Sequence, residues 1–235
     1  MNSMGFPGQG LQPSVKRLQN SQRYKERVLL SISGTIEDEI FECLKRSQNF
    51  VSGIELNISS PNTAGLRIFH EPARLRGLIE GLVAEKQVPL FVKLPPWPRD
   101  DDNRRELLKL AATAVDAGVD GLVIANTHPI ESSRLQVGRG GLSGAPLFEH
   151  TELMIADIQA QVKGEVAIIA CGGVSTGEHV WKLLASGASA VQLYTAFIYE
   201  GPGLPSRINK RLSKLMSAAG VTKIADISGE PPNIQ

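Results

Sequence analysis

The chain has 235 residues, 42% of them hydrophobic and 21% charged, which suits one domain with a substantial core. A formal net charge of +1 and an aromatic content of 5%, with no long basic run, give no drive toward nucleic acid or anionic lipid. No apolar stretch approaches the roughly 20 residues needed to span a bilayer, and there is no signal-peptide pattern.

Short apolar runs alternate with amphipathic stretches along the chain. Residues 28–33 predict the first strand, and residues 36–48 a helix that follows Thr35, with Asp38 three positions on as a capping pair. Gly53 to Ser59 reads as the second strand, and residues 72–85 as a helix opening at Pro72. Residues 89–94 predict the third strand. The next helix, 103–117, carries Leu107, Leu108, Leu110, Ala111, Ala114 and Val115 on one stripe and stops at Gly118. Strands at 121–126, 166–170 and 190–195 follow, separated by helices at 147–162 and 177–186, the latter with Ser175 and Glu178 as a capping box. A last helix spans 204–219. The barrel domain is expected over residues 1–226, with 227–235, including Pro231-Pro232, as a loose tail.

Several of these strands are nearly continuous apolar runs, as expected of parallel strands covered on both faces. Repeated strand–helix units imply an α/β fold with a parallel sheet, either open and doubly wound or closed. Polar residues recur at the strand exits (Asn57, Lys93, Asn126, Gly172-Gly173, Tyr194-Thr195), and only a barrel brings all of them to one face. The expected architecture is therefore a TIM (β/α)8-type barrel showing six of its eight strand–helix units, with two units absent before residue 1.

The two cysteines, Cys43 and Cys171, lie far apart and make no metal-like spacing; a reduced, intracellular setting is the default. His70, His128, His150 and His179 show no metal-site spacing either, and no metal is expected. Gly172-Gly173-Val174-Ser175-Thr176-Gly177 follows a strand and opens a helix, an arrangement that suits a phosphate or an ordinary tight turn. Tyr194-Thr195-Ala196, at the next strand exit, adds donors. Lys93 ends an apolar strand, so it needs an anionic partner in a barrel mouth, or else sits on the surface. Asn57, Ser60, Asn62, Asn126 and Thr127 are neutral donors and acceptors suited to a planar, amide-edged substrate, although Asn and Ser also simply build turns. Ser60 is the candidate base in its loop, and no Ser/His/Asp order is evident. Gly138 to Pro146 reads as a glycine-rich loop, either a flexible linker or a wrap around a cofactor.

Taken in order, Asn57-Ile58-Ser59-Ser60-Pro61-Asn62-Thr63, Val92-Lys93, Asn126-Thr127, Gly141-Leu142-Ser143-Gly144, Gly172-Gly173-Val174 and Gln192-Leu193-Tyr194-Thr195-Ala196 closely resemble the dihydroorotate dehydrogenase family. The likeness runs from residue 1 to about residue 225. It implies an FMN-dependent (β/α)8 barrel that oxidises dihydroorotate to orotate in pyrimidine (UMP) synthesis. Under the resemblance, Ser60 is the base that takes the C5 proton while a hydride passes from C6 to flavin N5. Asn57 touches both flavin and substrate, and Lys93 faces the flavin ring. Ala125, Gly144 and Gly173 approach the cofactor, and Tyr194 and Thr195 bind its phosphate. Asn62, Asn126 and Thr127 hold the substrate. Asn2, Met4, Gly5 and Phe6 resemble the family's substrate loop.

Serine rather than cysteine at position 60 resembles the quinone-reducing, membrane-associated class. The resemblance thus implies a quinone acceptor, and a cytoplasmic protein that is peripheral on the inner membrane in a full-length form. Membrane contact would run only through an amino-terminal extension absent here. The sequence departs from the family in lacking its first two strands, in Ala125 where a hydroxyl is common, in Ser31-Ile32-Ser33 without the usual asparagine, and in Pro96-Trp97 for Pro-Asp. The alternatives are an FMN barrel acting on another pyrimidine and an inactive remnant of the family.

Overall fold

A computed structural model describes residues 1–59, 65–96 and 100–234. In chain order, α1 (Leu11–Asn20) precedes β1 (Leu29–Ile32) and α2 (Glu37–Ser47), and β2 (Gly53–Asn57) precedes α3 (Pro72–Glu85). Next come β3 (Leu90–Lys93), α4 (Asp101–Asp116) and β4 (Gly121–Ile124). Two hairpin strands, β5 (His128–Glu131) and β6 (Arg139–Leu142), lead into α5 (Phe148–Val162). The chain closes with β7 (Ala167–Cys171), α6 (Gly177–Ala185), β8 (Ala190–Gln192), α7 (Thr195–Glu200) and α8 (Leu204–Ala219).

Six strands form one parallel sheet in the order β1-β2-β3-β4-β7-β8, while β5 pairs antiparallel with β6. Spatial order follows chain order, with a helix in each crossover, as in a β/α barrel. The sheet curls. Glu55 on β2 accepts a hydrogen bond from Ser31 on β1 (2.9 Å) and another from Gln192 on β8 (3.1 Å), so the two end strands reach a single side chain. The result is a half-barrel of the TIM type.

Side chains alternate across a strand, and here the two faces differ in chemistry. Ile54 and Leu56, Leu90 and Val92, Leu122 and Ile124, and Ile168 and Ala170 face the helices and are almost fully buried. They pack with Ile40 and Leu44 of α2, Leu78 and Leu82 of α3, Leu110 and Ala114 of α4, and Ile155 and Ile158 of α5. The inner face carries Ser31, Glu55, Asn57, Lys93, Cys171 and Gln192. The strands are therefore apolar on their helix side, while the inner face mixes these groups with the apolar Phe91, Val123 and Ile169. The parallel register pairs Asn57 with Lys93 and Cys171 with Gln192.

Deeper in the curl, Phe91 fills the space between Gly53 and Gly121. A Cβ at Gly121 would stand 2.6 Å from the Phe91 ring and 2.5 Å from the Ala167 carbonyl oxygen, so only glycine fits between two backbones and an aromatic side chain. Close approach recurs where α6 meets α8: a Cβ at Gly177 would lie 2.8 Å from Arg211 and 2.9 Å from the Leu212 nitrogen.

Several local expectations shift. Helix α2 starts at Glu37, so Thr35 reaches Glu39 rather than Asp38: its amide donates to Glu39 Oε2 (2.9 Å) and its hydroxyl to the same oxygen (3.3 Å). Helix α4 starts earlier than read, with Asp100 accepting from the Asn103 amide. At α6 the cap is Thr176, which accepts from the His179 amide (3.1 Å), while Glu178 pairs with Arg211 (2.6 Å). Arg139 to Leu142, read as part of a loop, is the second strand of a hairpin. The segment from Ile227, read as a loose tail, is tied down: Ile227 is buried, the Trp181 indole donates to the Gly229 carbonyl (3.0 Å), and Arg211 donates to that of Ile234 (2.9 Å). A buried indole needs an acceptor, and the tail supplies it. No helix among the described residues is long and apolar enough to cross a membrane.

Replacing Gly121 with alanine should destabilise the fold by about 1–3 kcal/mol, the usual cost of overpacking. Urea unfolding measures this. An unchanged midpoint would show that the Phe91 ring and the Ala167 carbonyl give way freely.

Candidate active site at the strand exits

The carboxyl ends of β3, β4, β7 and β8 open into one cavity of about 890 Å³. That lies within the ~300–1,000 Å³ range of small-molecule and cofactor sites. Lys93, Asn126, Gly173, Gln192 and Thr195 are among its lining residues. Ala125 and Thr127 continue the wall from the β4 exit, Cys171 and Gly172 that from β7, and Tyr194 that from β8. Gly144 joins them from the connection after β6, and Asn2, Met4 and Gly5 from the chain start.

Short-range constraints bring these pieces together. Gly172 and Gly173 both have positive φ (152° and 75°), which lets the chain turn sharply from β7 toward α6. A Cβ on Gly173 would stand 2.4 Å from the Phe148 nitrogen, so the glycine also lets the start of α5 close on the turn. The chain start is fixed by backbone pairing: the Asn2 amide donates to Gly141 (2.9 Å), and the Gly141 amide donates to Asn2 (2.7 Å). Gly141 faces Thr127, whose Oγ1 would lie 2.1 Å from a Cβ there. The hairpin thus carries the Asn2–Gly5 stretch to the β4 exit.

A relay of amides and a hydroxyl joins β2 to β4. Asn126 Nδ2 donates to Ser59 Oγ (3.1 Å), Ser59 Oγ donates to Asn57 Oδ1 (3.3 Å), and Asn126 Oδ1 accepts from the Thr127 amide (2.8 Å). At the foot of this loop, His70 Nε2 donates to the Ile58 carbonyl (2.9 Å), which fixes the ring's proton on that nitrogen in the neutral form. Burial pushes the His70 imidazole below its ordinary range; the Ile58 bond opposes that shift and Arg67 adds to it. His179, stacked on Phe148 at 4.1 Å, is also pushed down by burial.

Lys93 finds its anionic partner inside the protein. Its ammonium lies 3.8 Å from Glu55 Oε1 and 3.6 Å from Cys171 Sγ. Burial by itself would lower the Lys93 pKa; the Cys171 sulfur and then Glu55 outweigh it, so the ammonium titrates above its usual value. Lysine 93 is therefore neither a surface residue nor a free cation.

Of the residues singled out from sequence, Asn2, Met4, Gly5, Lys93, Ala125, Asn126, Thr127, Gly144, Gly173, Tyr194 and Thr195 share the cavity wall. Asn57 stands behind it, joined to Asn126 through Ser59. Phe6 is 43% exposed and is not among the lining residues. Ser60, Asn62 and Trp97 lie outside the described residues. Sequence reading passed over Glu55, Ser59 and Gln192. The signal for Glu55 was present, a lone carboxylate inside an apolar strand two positions before Asn57 and therefore on the same face. No cluster of three or more His, Cys, Asp or Glu residues suited to a metal occurs among the described residues.

A half-barrel with a lysine, paired amides and a glycine turn around a cavity at its strand exits is the arrangement of a small-molecule site in a β/α-barrel protein. The family model for dihydroorotate dehydrogenase matches residues 1–216, and the chain belongs to that family. It is 33% identical over 249 residues to dihydroorotate dehydrogenase (quinone) of Sphingopyxis alaskensis, covering 97% of this chain and 67% of that one. To the mitochondrial dihydroorotate dehydrogenase (quinone) of Arabidopsis thaliana it is 35% identical over 219 residues, covering 86% and 47% respectively. Among solved structures, a DHODH from Eimeria tenella in complex with ferulenol matches with a TM-score of 0.84 and 31% identity, over 97% of this chain and 70% of that one. The chain thus spans about two thirds of the bacterial relative's length and about half of the plant one's.

The depressed His70 pKa makes stability pH-dependent. Above its unfolded value of 6.5 the ring is neutral in both folded and unfolded chains and costs nothing. As pH falls below that value, the unfolded chain takes the proton first and the folded state loses stability, until the lower folded pKa is passed. The thermal midpoint should therefore drop between about pH 7.5 and about pH 5. His70→Gln, which keeps a donor for Ile58, should show a shallower drop; an identical slope would remove His70 as its source.

Proposed function

We propose that this chain carries the FMN and dihydroorotate site of a quinone-linked dihydroorotate dehydrogenase, the enzyme that oxidises dihydroorotate to orotate in pyrimidine synthesis. The observation that carries the reading is the single cavity where Lys93, Asn126-Thr127, Gly172-Gly173 and Tyr194-Thr195 meet the Asn2–Gly5 stretch. Its donor set suits FMN. A cation and amides at one end match a polar ring edge, and the glycine turn with Thr195 at the other suits a phosphate. Bound there, FMN would supply the hydride acceptor.

The chain's own residues do the rest. Gly144, Gly173, Tyr194 and Thr195 hold the phosphate end, and Ala125 leaves room beside the ring. Lys93 faces the ring's polar edge. Asn2, Met4, Gly5, Asn126 and Thr127 hold the substrate, with its planar amide edge read by Asn126 and Thr127. Asn57, linked through Ser59 to Asn126, keeps that amide oriented. Ser60 takes the C5 proton of dihydroorotate, a step for which serine needs a dry, closed site. Electrons leave to a quinone.

Titrating the protein with FMN and following the visible flavin band tests the reading. Binding followed by bleaching with dihydroorotate is expected, whereas bleaching by dihydrouracil alone would point to another pyrimidine. Ser60→Ala should keep FMN binding and slow bleaching by about 10²–10⁴-fold, the usual contribution of a positioned general base. A wild-type rate in that variant would take the proton away from Ser60.

A further inference from the structure

The inner face of the sheet holds a carboxylate that dihydroorotate chemistry does not call for. The Glu55 side chain is 6% exposed and that of Lys93 is 14%. Ser31 and Gln192, from the two end strands, donate to Oε1 and Oε2 of Glu55 at 2.9 and 3.1 Å. Both donors are neutral, so the charge Glu55 faces is that of Lys93, at 3.8 Å. Lys93 in turn lines the cavity together with Cys171, 3.6 Å from its ammonium. Five strands thus contribute Ser31, Glu55, Lys93, Cys171 and Gln192 to one cluster, with the Glu55 carboxylate and the Lys93 ammonium facing each other at its centre.

We infer that Glu55 is a positioning residue that fixes Lys93 and cancels its charge, so that a flavin bound in the cavity meets a compensated ion pair instead of a free ammonium. This rests on the FMN reading above and deepens it. Reduced flavin is anionic at its pyrimidine edge, and a free cation beside that edge favours the reduced form over the oxidised one. In a partly buried site an opposite charge a few ångströms behind the cation removes much of that preference. Glu55 therefore holds the cofactor at a lower potential, which favours passing electrons onward, and at the same time ties β1 and β8 to β2.

Glu55→Gln keeps the shape and removes the charge; one of the two acceptor oxygens becomes a donor, which the Ser31 hydroxyl can accept by reversing its own role. In that variant reduced FMN should bind at least about tenfold more tightly relative to oxidised FMN, an upward shift of about 30 mV for the two-electron couple. A dye-coupled reductive titration reads this. A second measurement needs no flavin. In a Cys43→Ser background, iodoacetamide reports on Cys171 alone, and a thiol beside an uncompensated ammonium ionises more readily. Alkylation near neutral pH should be about threefold or more faster with Gln at position 55 and slower in Lys93→Gln. Ser31→Ala, which removes a hydrogen bond but no charge, should lower the thermal midpoint and leave both the potential and the thiol rate in place, as a merely structural role of Glu55 would not predict for Glu55→Gln.

If Glu55→Gln does not fold, Glu55→Asp carries the test, because it keeps the charge, draws it back by one methylene, and should give smaller changes of the same sign. Should neither parent nor variant take up FMN, the FMN reading fails, and the thiol rates alone decide whether Glu55 governs Lys93. Unchanged thiol rates in both Glu55 variants would overturn the inference, as would an unchanged potential.

Discussion

A carboxylate on the inner face of a parallel sheet imposes conditions on everything around it. Buried charge is costly unless it is met by an opposite charge and by hydrogen bonds. Glu55 is met by Lys93 from β3, Ser31 from β1 and Gln192 from β8, and no flat sheet could bring those three strands to one side chain. Curvature of the sheet and satisfaction of Glu55 are therefore one constraint. The same constraint places the Lys93 ammonium at the cavity wall and brings Cys171 within 3.6 Å of it. The floor of the site is electrostatic, in contrast to the hydrocarbon layer between strands and helices.

That division of labour explains how the fold supports a polar site without losing its core. The helix-facing positions of the strands are filled by Ile, Leu and Val with almost no exposure. Burial of this kind supplies about 25 cal/mol per Å² of apolar surface removed from water, and it is independent of what the opposite face does. The inner face is then free to carry Ser31, Glu55, Asn57, Lys93 and Gln192. Glycines make the tight places possible. Gly121 admits the Phe91 ring, Gly141 admits Thr127, and Gly173 admits the start of α5. Each of these contacts brings two distant segments of the chain together.

The six strand–helix units were legible because helix periodicity and apolar strand runs are local signals. Of the apolar stripe on α4, Leu107, Leu110, Ala111 and Ala114 form the buried face, while Leu108 and Val115 at its margins are only partly buried. Cap identities were less legible, since a one-residue change in helix start exchanges the partners, as Thr35–Glu39 and Thr176–His179 show. The β5–β6 hairpin was missed because Gly140 and Gly141 look like loop residues, and their strand character comes from pairing with Pro129, Ile130 and Asn2. The anchored segment after Ile227 was missed for a related reason: the acceptor that the Trp181 indole needs sits 48 residues further along the chain.

The amino-acid sequence by itself determined the family, the order of the six parallel strands and their crossover helices, and which polar residues stand at strand exits, because each of these is written in short windows of residue type and spacing. Tertiary structure alone decided which of those residues share a wall and what charge they present. A lysine at the end of a strand has the same sequence whether it meets solvent, a ligand or a carboxylate. Only the pairing of β2 with β3, whose register sets Glu55 diagonally beside Lys93 from a separation of 38 positions, fixes which of these it is.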